Sequence, residues 1–255
     1  MREEKHCHIC RRQGGVLRTL CGWDDWMYGQ SADYDGLQYA FDVINESGSK
    51  HGDAVSCCET CIDIAEKELK RMTIDILKKP GVKNATIILR SGRYFDYLDP
   101  QPETIYIDDI AWGLANTCRF NGQCLEYYSV AQHSVLVSEN VPKEHAFDAL
   151  MHDAAEAYIG DVVAPLKQLL PDFKLIEARV EAAIAQRFGL NLPLHADIKH
   201  TDLRLLRTEQ RDVTSGHAHN WHGLDQYAPL EKNIIPVSPD EAAALFLLRY
   251  QQVKR

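Results

Sequence analysis

The stretch of sequence that decides both fold and function reads Ala149-Leu-Met-His-Asp-Ala-Ala-Glu-Ala-Tyr-Ile-Gly-Asp-Val-Val-Ala-Pro-Leu-Lys167. Its alanine-rich, apolar character predicts one helix that ends at Gly160. Four ionisable side chains interrupt it: His152, Asp153, Glu156 and Asp161. The first three are spaced so that they face one cavity from a helix. Charged groups in a core are costly unless they are paired or bind metal, so this stretch indicates a cation site.

The composition places this stretch in an ordinary globular protein. The chain has 255 residues, 45% hydrophobic and 25% charged, which suits one large domain or one medium domain with a small appendage. Its net charge of -9 excludes a global basic field that would recruit nucleic acid or an anionic membrane, so neither is an expected partner. With no long apolar run and no secretion signal, we expect a cytoplasmic protein.

Two CxxC pairs lie in the N-terminal part, Cys7-His-Ile-Cys10 and Cys58-Glu-Thr-Cys61. In a reducing compartment eight cysteines are thiols or metal ligands, and two such pairs predict a structural zinc ion held by four thiolates. A loose set of reduced cysteines is the other interpretation, and further residues are substitute ligands: His6, His8, Cys21 and Cys57.

The segment after the second pair, Ile62 to Lys70, predicts a helix with Cys58 and Cys61 in its first turn. Residues 1–75 resemble a treble-clef or ribbon zinc module with a long spacing between its halves. The acidic middle of this module favours a structural or partner-docking role over phosphate-backbone binding.

The rest of the chain predicts a mainly α domain over residues 84–255. Lys78 to Lys83 combines charge, proline and glycine, which is typical of a domain boundary. A short β-hairpin follows at Thr86 to Tyr97. Helical patterns then begin at Asp108, running toward Phe120, and continue at Tyr128–Val137, Ile176–Phe188, Ala196–Asp212 and, after the capping residue Ser238, up to Val253. His217, His219 and His222 fit a surface loop better than a metal site.

A second histidine and a second aspartate complete a candidate metal set. His133 lies on the apolar face of its helix, where a histidine is usually a core residue, and Asp202 takes an apolar position between Ile198 and Leu205. A solvated polar face is the alternative for Asp202. Together with His152 and Asp153 they give two nitrogens and two oxygens, which suit cobalt, manganese, iron or zinc. Such an ion ionises water near neutral pH and so supplies a nucleophile for phosphorus.

The ordered set His133, His152-Asp153, Asp202 resembles that of HD-domain metal-dependent phosphohydrolases. The segments that carry the closer similarity, to prophage 5'-deoxynucleotidases and phage dATP triphosphohydrolases, are Arg119-Phe120, Tyr128-Ser-Val-Ala-Gln-His133, Ala149 to Tyr158, Pro165-Leu-Lys167 and Ala196 to Asp212. This similarity runs from about Ser91 to the C-terminus and leaves out the cysteine module. It implies a helical bundle around one divalent ion, self-association into a homo-oligomer, and a phage or prophage origin.

The same resemblance implies a role for each candidate residue. His133, His152, Asp153 and Asp202 would hold the ion. Glu156 and Asp161 would position water and act as acid or base, Arg119, Lys167 and Lys199 would hold phosphate, and Phe120 would lie beside the sugar, where some relatives carry tryptophan.

The expected function is hydrolysis of a small deoxynucleotide, with release of phosphate from deoxynucleoside 5'-monophosphates. One alternative is release of triphosphate from dATP by the same chemistry, and a phosphodiesterase is a further option in the superfamily. A different class of function is nucleotide sensing or partner docking without catalysis.

Overall fold

The computed structural model of the chain describes the backbone of residues 17–20 and 55–58, and residues 84–215, 221 and 223–255 with their side chains. The chain divides into two units, Met1–Lys83 and Asn84–Arg255. Among the described residues no helix is both long and apolar enough to cross a membrane.

In the first unit, strand β1 (Leu17–Leu20) pairs antiparallel with β2 (Val55–Cys58), with Leu17 opposite Cys58. The expectation that Cys58 begins a helix is therefore wrong, because it is the last residue of a strand. The hydrogen-bonding partner of that strand lies far away in the sequence, so local spacing could not reveal it. Cys7, Cys10, Cys61 and the helix expected after them lie outside the described residues.

The second unit begins with the expected hairpin. Strand β3 (Thr86–Ile88) pairs antiparallel with β4 (Tyr94–Asp96), and Ile87 faces Phe95. Gly92 takes a φ of 83° in the connecting turn, a conformation that glycine adopts without strain. Phe95 is fully buried and stacks on Tyr158, with ring centroids 4.1 Å apart, so the hairpin packs on the helical core.

Helices make up most of the second unit, as the sequence predicts. Their bounds are α1 (Ile107–Asn116), α2 (Val130–Asn140), α3 (Ala146–Leu150), α4 (Glu156–Ile159), α5 (Ala164–Lys167), α6 (Pro171–Phe188), α7 (Ala196–Asp212) and α8 (Pro239–Val253). Helix α1 ends before Cys118 and Arg119, which lie in a separate turn. The main core joins apolar side chains of α1, α3, α6 and α8, among them Ile110, Leu150, Val180 and Phe246.

The decisive stretch is not one helix, which corrects the sequence-based expectation. It forms α3, a tight turn over residues 151–155, and α4. A continuous helix would bond the Ala149 carbonyl to the amide of Asp153. Instead Nδ1 of His152 donates to that carbonyl at 2.8 Å, so a side chain replaces the backbone donor and the helix breaks.

Candidate metal centre and anion pocket

His133 is fixed in the core by helix α2. Ser129 caps this helix by accepting a hydrogen bond from the Gln132 amide, and His133 in the first turn is fully buried. Its Nδ1 lies 2.6 Å from Oε1 of Glu209. Because a carboxylate accepts there, Nδ1 carries a proton, and Nε2 is the nitrogen that can offer its lone pair to a metal.

The turn between α3 and α4 holds the second histidine in the same tautomer. Its Nδ1 is committed to the Ala149 carbonyl, so Nε2 of His152 is the free nitrogen, 3.2 Å from Oδ2 of Asp153. That same carboxylate oxygen lies 3.5 Å from Nε2 of His133. The break in the helix therefore aims His152 and Asp153 at His133.

Helix α7 supplies the fourth candidate ligand. Oδ1 of Asp202 lies 3.2 Å from Nε2 of His133, and its other oxygen lies 3.3 Å from Nζ of Lys199. Ligand atoms of His133, His152 and Asp202 lie within 4.8 Å of one another. The structure thus brings His133, His152 and Asp202 together from α2, the α3–α4 turn and α7, and it places Asp153 beside both histidines.

The donor set fits a divalent ion. Among the described residues, Nε2 of His133 and Nε2 of His152 are buried nitrogens without a hydrogen-bond partner. Unpartnered buried polar atoms are unfavourable, and here both are aimed at a pair of carboxylates. Two imidazoles with two carboxylates suit a borderline cation such as cobalt, manganese, iron or zinc, so these residues could bind a metal.

The electrostatics of this cluster favour a positive charge. Burial of the His133 ring and the charge of Arg119 both lower the pKa of His133. Glu209 and Asp202 raise this pKa by more, so that the net result is a pKa of about 9. Burial likewise opposes ionisation of Asp202, while Lys199 and the two histidines hold the pKa of that carboxyl well below its usual range. The ligand carboxylates therefore stay ionised at neutral pH.

Glu156 behaves differently from these carboxylates. It begins α4 and is buried, and Oε2 of its side chain has no hydrogen-bond partner among the described residues. Burial raises the pKa of Glu156 well above its usual range, and the charges of Asp153 and Asp161 raise it further. A carboxyl group in this setting takes up a proton more readily than its neighbours, which suits a general acid.

Arg119 lies in a strained turn beside these acids. The backbone is clamped by an isolated β-bridge between Cys118 and Ser129, and Phe120 and Asn121 both take positive φ, 54° and 52°. Such angles cost about 1–3 kcal/mol each for non-glycine residues and concentrate at binding sites. The turn directs the guanidinium inward, with Nη1 3.4 Å from Asp161 and Nη2 3.1 Å from Glu209.

Two other predicted phosphate contacts are bound to acidic side chains. Nζ of Lys167 lies 2.8 Å from Oε1 of Glu177, and Nζ of Lys199 lies 3.3 Å from Asp202. The charge of Lys167 still acts on Glu156, whose pKa it lowers. Of the three predicted cations, Arg119 therefore has the closest link to the candidate acids.

Sequence reasoning missed Glu209 and Trp221. Glu209 extends the stripe of Ile198, Asp202 and Leu205 by one more turn, so the helical period could have found it. Trp221 meets Phe120 edge to face, with ring centroids 5.8 Å apart, and no local pattern links the two. Trp221 is flanked by His217, His219 and His222, which lie outside the described residues.

A second histidine cluster has a geometry poorly suited to a metal. His145, His195 and Asp197 bring possible ligand atoms within 4.8 Å of one another. The two imidazole rings are stacked, with centroids 3.9 Å apart and planes only 14° from parallel. Ligand lone pairs lie in the ring plane, so two parallel rings do not aim at one ion.

Comparison with known proteins identifies relatives of this chain. No protein-family model matches the chain. An uncharacterized protein of Rhodobacter capsulatus is 41% identical over 128 residues, which cover 46% of this chain and 65% of that protein. The uncharacterized protein YfdR of Escherichia coli strain K12 is 43% identical over 164 residues, which cover 64% of this chain and 92% of YfdR. The chain therefore belongs to the same protein family as YfdR.

Proposed function

We propose that this protein is a metal-dependent phosphohydrolase of the HD-domain type that releases phosphate from deoxynucleoside 5'-monophosphates. The observation that carries the proposal is the convergence of two buried, unpartnered Nε2 atoms, from His133 and His152, on the carboxylates of Asp153 and Asp202. The resemblance to HD-domain deoxynucleotidases supplies the substrate class.

The side chains around the cluster divide the chemistry between them. A divalent ion bound there would lower the pKa of water and polarise a phosphoryl oxygen. Arg119 presents a guanidinium to the phosphate, and Asp161 and Glu209 hold its plane in place. Glu156, with its raised pKa, donates a proton from its carboxyl group to the departing 5'-oxygen.

The negative charge of the acidic side chains around the site must be offset before a phosphate can bind. Five acidic side chains surround the site, the carboxylates of Asp153, Asp161, Asp202 and Glu209 and the carboxyl group of Glu156. An anionic substrate would be repelled by them without compensation. A divalent ion together with Arg119 supplies that compensation, which explains how an acidic protein binds a phosphate monoester.

A product-resolved substrate panel tests the proposal. The full chain, loaded with Mn²⁺ or Co²⁺, is incubated with each deoxynucleoside monophosphate, each deoxynucleoside triphosphate and their ribonucleotide counterparts. We expect inorganic phosphate and deoxynucleoside from the monophosphates. Triphosphate release from dATP without attack on dAMP would instead identify a dATP triphosphohydrolase, and metal binding without any product would favour a nucleotide sensor.

Two variants calibrate the panel. His152→Ala removes a ligand nitrogen, so both bound metal and turnover should be lost. His200→Ala makes the same change at an exposed histidine of α7 that has no atom in the cluster, and it should keep both. Full activity in His152→Ala would refute the site.

A further inference from the structure

In the function proposed above, the buried carboxylate of Glu209 serves only to hold the plane of Arg119. Glu209 lies on α7 with its side chain fully buried. Its two oxygens are divided between two different functional groups: Oε1 lies 2.6 Å from Nδ1 of His133, and Oε2 lies 3.1 Å from Nη2 of Arg119. A single carboxylate thus joins a candidate metal ligand to the candidate phosphate contact.

We propose that Glu209 is a positioning residue that orients two side chains at once, the candidate metal ligand His133 and the candidate anion-binding residue Arg119. The inference rests on the proposed function to the extent that Arg119 is taken to contact phosphate. Through this link, a change at Glu209 alters metal affinity and anion affinity, although Glu209 touches neither ligand.

The metal side of the link works through the tautomer of His133. An imidazole can carry its proton on either nitrogen, and only the Nδ1–H form leaves Nε2 free for a metal. The bond to Oε1 of Glu209 selects that form and holds the ring with Nε2 toward Asp153 and Asp202. Loss of such an outer carboxylate weakens metal binding by about 10–100-fold in comparable sites.

The anion side works through the plane of Arg119. Asp161 and Glu209 each take one terminal nitrogen of the guanidinium, and Nε has no hydrogen-bond partner among the described residues. A guanidinium has five N–H donors, so three remain after these two bonds. The two acids therefore orient the arginine without consuming the donors that an anion needs.

The glutamine variant separates the two functions of Glu209. In Glu209→Gln the amide oxygen still accepts from Nδ1 of His133, so the tautomer is kept. The amide nitrogen then faces Nη2 of Arg119, donor against donor, and the negative charge is gone. We expect Glu209→Gln to weaken metal binding by about 10-fold at most and anion binding more strongly, whereas Glu209→Ala weakens both strongly.

The experiment measures both affinities without any nucleotide. Co²⁺ is titrated into the wild-type protein, Glu209→Gln and Glu209→Ala, with its visible absorption followed, and inorganic phosphate is then titrated into each Co²⁺-loaded protein. Asp148→Asn is the matched control, because Asp148 is another buried carboxylate paired with an arginine, 2.7 Å from Nη2 of Arg255, and has no atom in the cluster. It should leave both affinities unchanged.

The outcomes separate this inference from the proposed function. Wild-type affinities in Glu209→Gln and Glu209→Ala, or equal losses in Asp148→Asn, would overturn the role of Glu209 even if the enzyme hydrolyses deoxynucleotides. If the Glu209 variants lose metal and phosphate binding while the wild-type protein hydrolyses no nucleotide, the positioning role of Glu209 is supported and the proposed function is refuted.

A measurement on the unaltered protein covers the case of variants that do not fold. Nitrogen-15 NMR of the Zn²⁺-loaded wild type should show His133 with its proton on Nδ1, in a short hydrogen bond with a strongly deshielded proton. A proton on Nε2 of His133 would contradict the inference.

Discussion

Glu156 differs from its neighbours in the direction of its pKa shift, and this difference favours a different task for it in the proposed reaction. Both histidines hold down the pKa of Asp153, and Lys199 with the histidines holds down that of Asp202, whereas burial and two adjacent carboxylates raise the pKa of Glu156. Removing the proton-transfer group while keeping its shape should therefore stop turnover without emptying the metal site.

The variant Glu156→Gln tests that task. We expect kcat to fall by about 10²–10⁴-fold, the usual contribution of a general acid, with Co²⁺ affinity close to that of the wild type. Steady-state kinetics and a Co²⁺ titration measure the two quantities. Glu139→Gln, at an exposed position of α2, serves as the matched control and should change neither. A wild-type kcat in Glu156→Gln would remove Glu156 from the mechanism.

Helix α4 packs closely against α1 because α1 has a glycine, Gly113, at the point of contact. A Cβ added at Gly113 would lie 2.6 Å from the carbonyl oxygen of Ala157 and 2.8 Å from its Cβ, distances that real side chains do not adopt. The two helices can approach only while position 113 carries no side chain. Since α4 begins with Glu156, this approach also sets the position of the candidate proton donor.

The variant Gly113→Ala should therefore affect stability and activity together. Overpacking of this kind costs about 1–3 kcal/mol of unfolding free energy, and the displaced α4 should lower kcat with less effect on metal affinity. Urea unfolding and kinetics measure the pair. Gly189→Ala, at the left-handed end of α6 with a φ of 66°, should cost about 1–2 kcal/mol without lowering kcat. Equal stability of Gly113→Ala and wild type would contradict the close approach.

Most elements of the second unit follow from local patterns in the sequence. Helix α7 has the predicted bounds, Ser238 caps α8 as its spacing with Glu241 indicates, and the hairpin forms around Gly92. Each of these depends on residues within a few positions of one another. Hydrophobic period and capping preferences are therefore sufficient to find them.

The parts that local patterns could not give depend on contacts over longer distances. The break at His152 results from a side chain that takes a backbone acceptor, which apolar periodicity does not encode. Four metal-ligand candidates were recognised by residue type and order. The helical period also places Glu209 on the stripe of Asp202, but the role of Glu209 depends on His133 and Arg119, which are 76 and 90 residues away. A buried carboxylate shows its role only when both partners are in place.

At the scale of the whole molecule, the candidate chemistry belongs to one of the two units. The described ligands and acids all lie within Asn84–Arg255, from Arg119 to Glu209. YfdR is the shorter protein, because the match takes up 92% of YfdR but only 64% of this chain. A relative of this family thus exists without a counterpart to part of this chain.

We therefore expect residues Asn84–Arg255 alone to retain the divalent ion and the hydrolysis. The truncated protein should keep kcat within about 2- to 3-fold of the full chain, a change worth less than 1 kcal/mol in activation free energy. If Cys7, Cys10, Cys58 and Cys61 hold zinc, elemental analysis should find one ion fewer in the truncated protein. The full chain with Cys7→Ser and Cys10→Ser is the control, since it should lose that zinc ion without losing residues. A truncated protein that is folded by circular dichroism and binds Co²⁺, yet hydrolyses nothing, would show that the first unit takes part in the reaction.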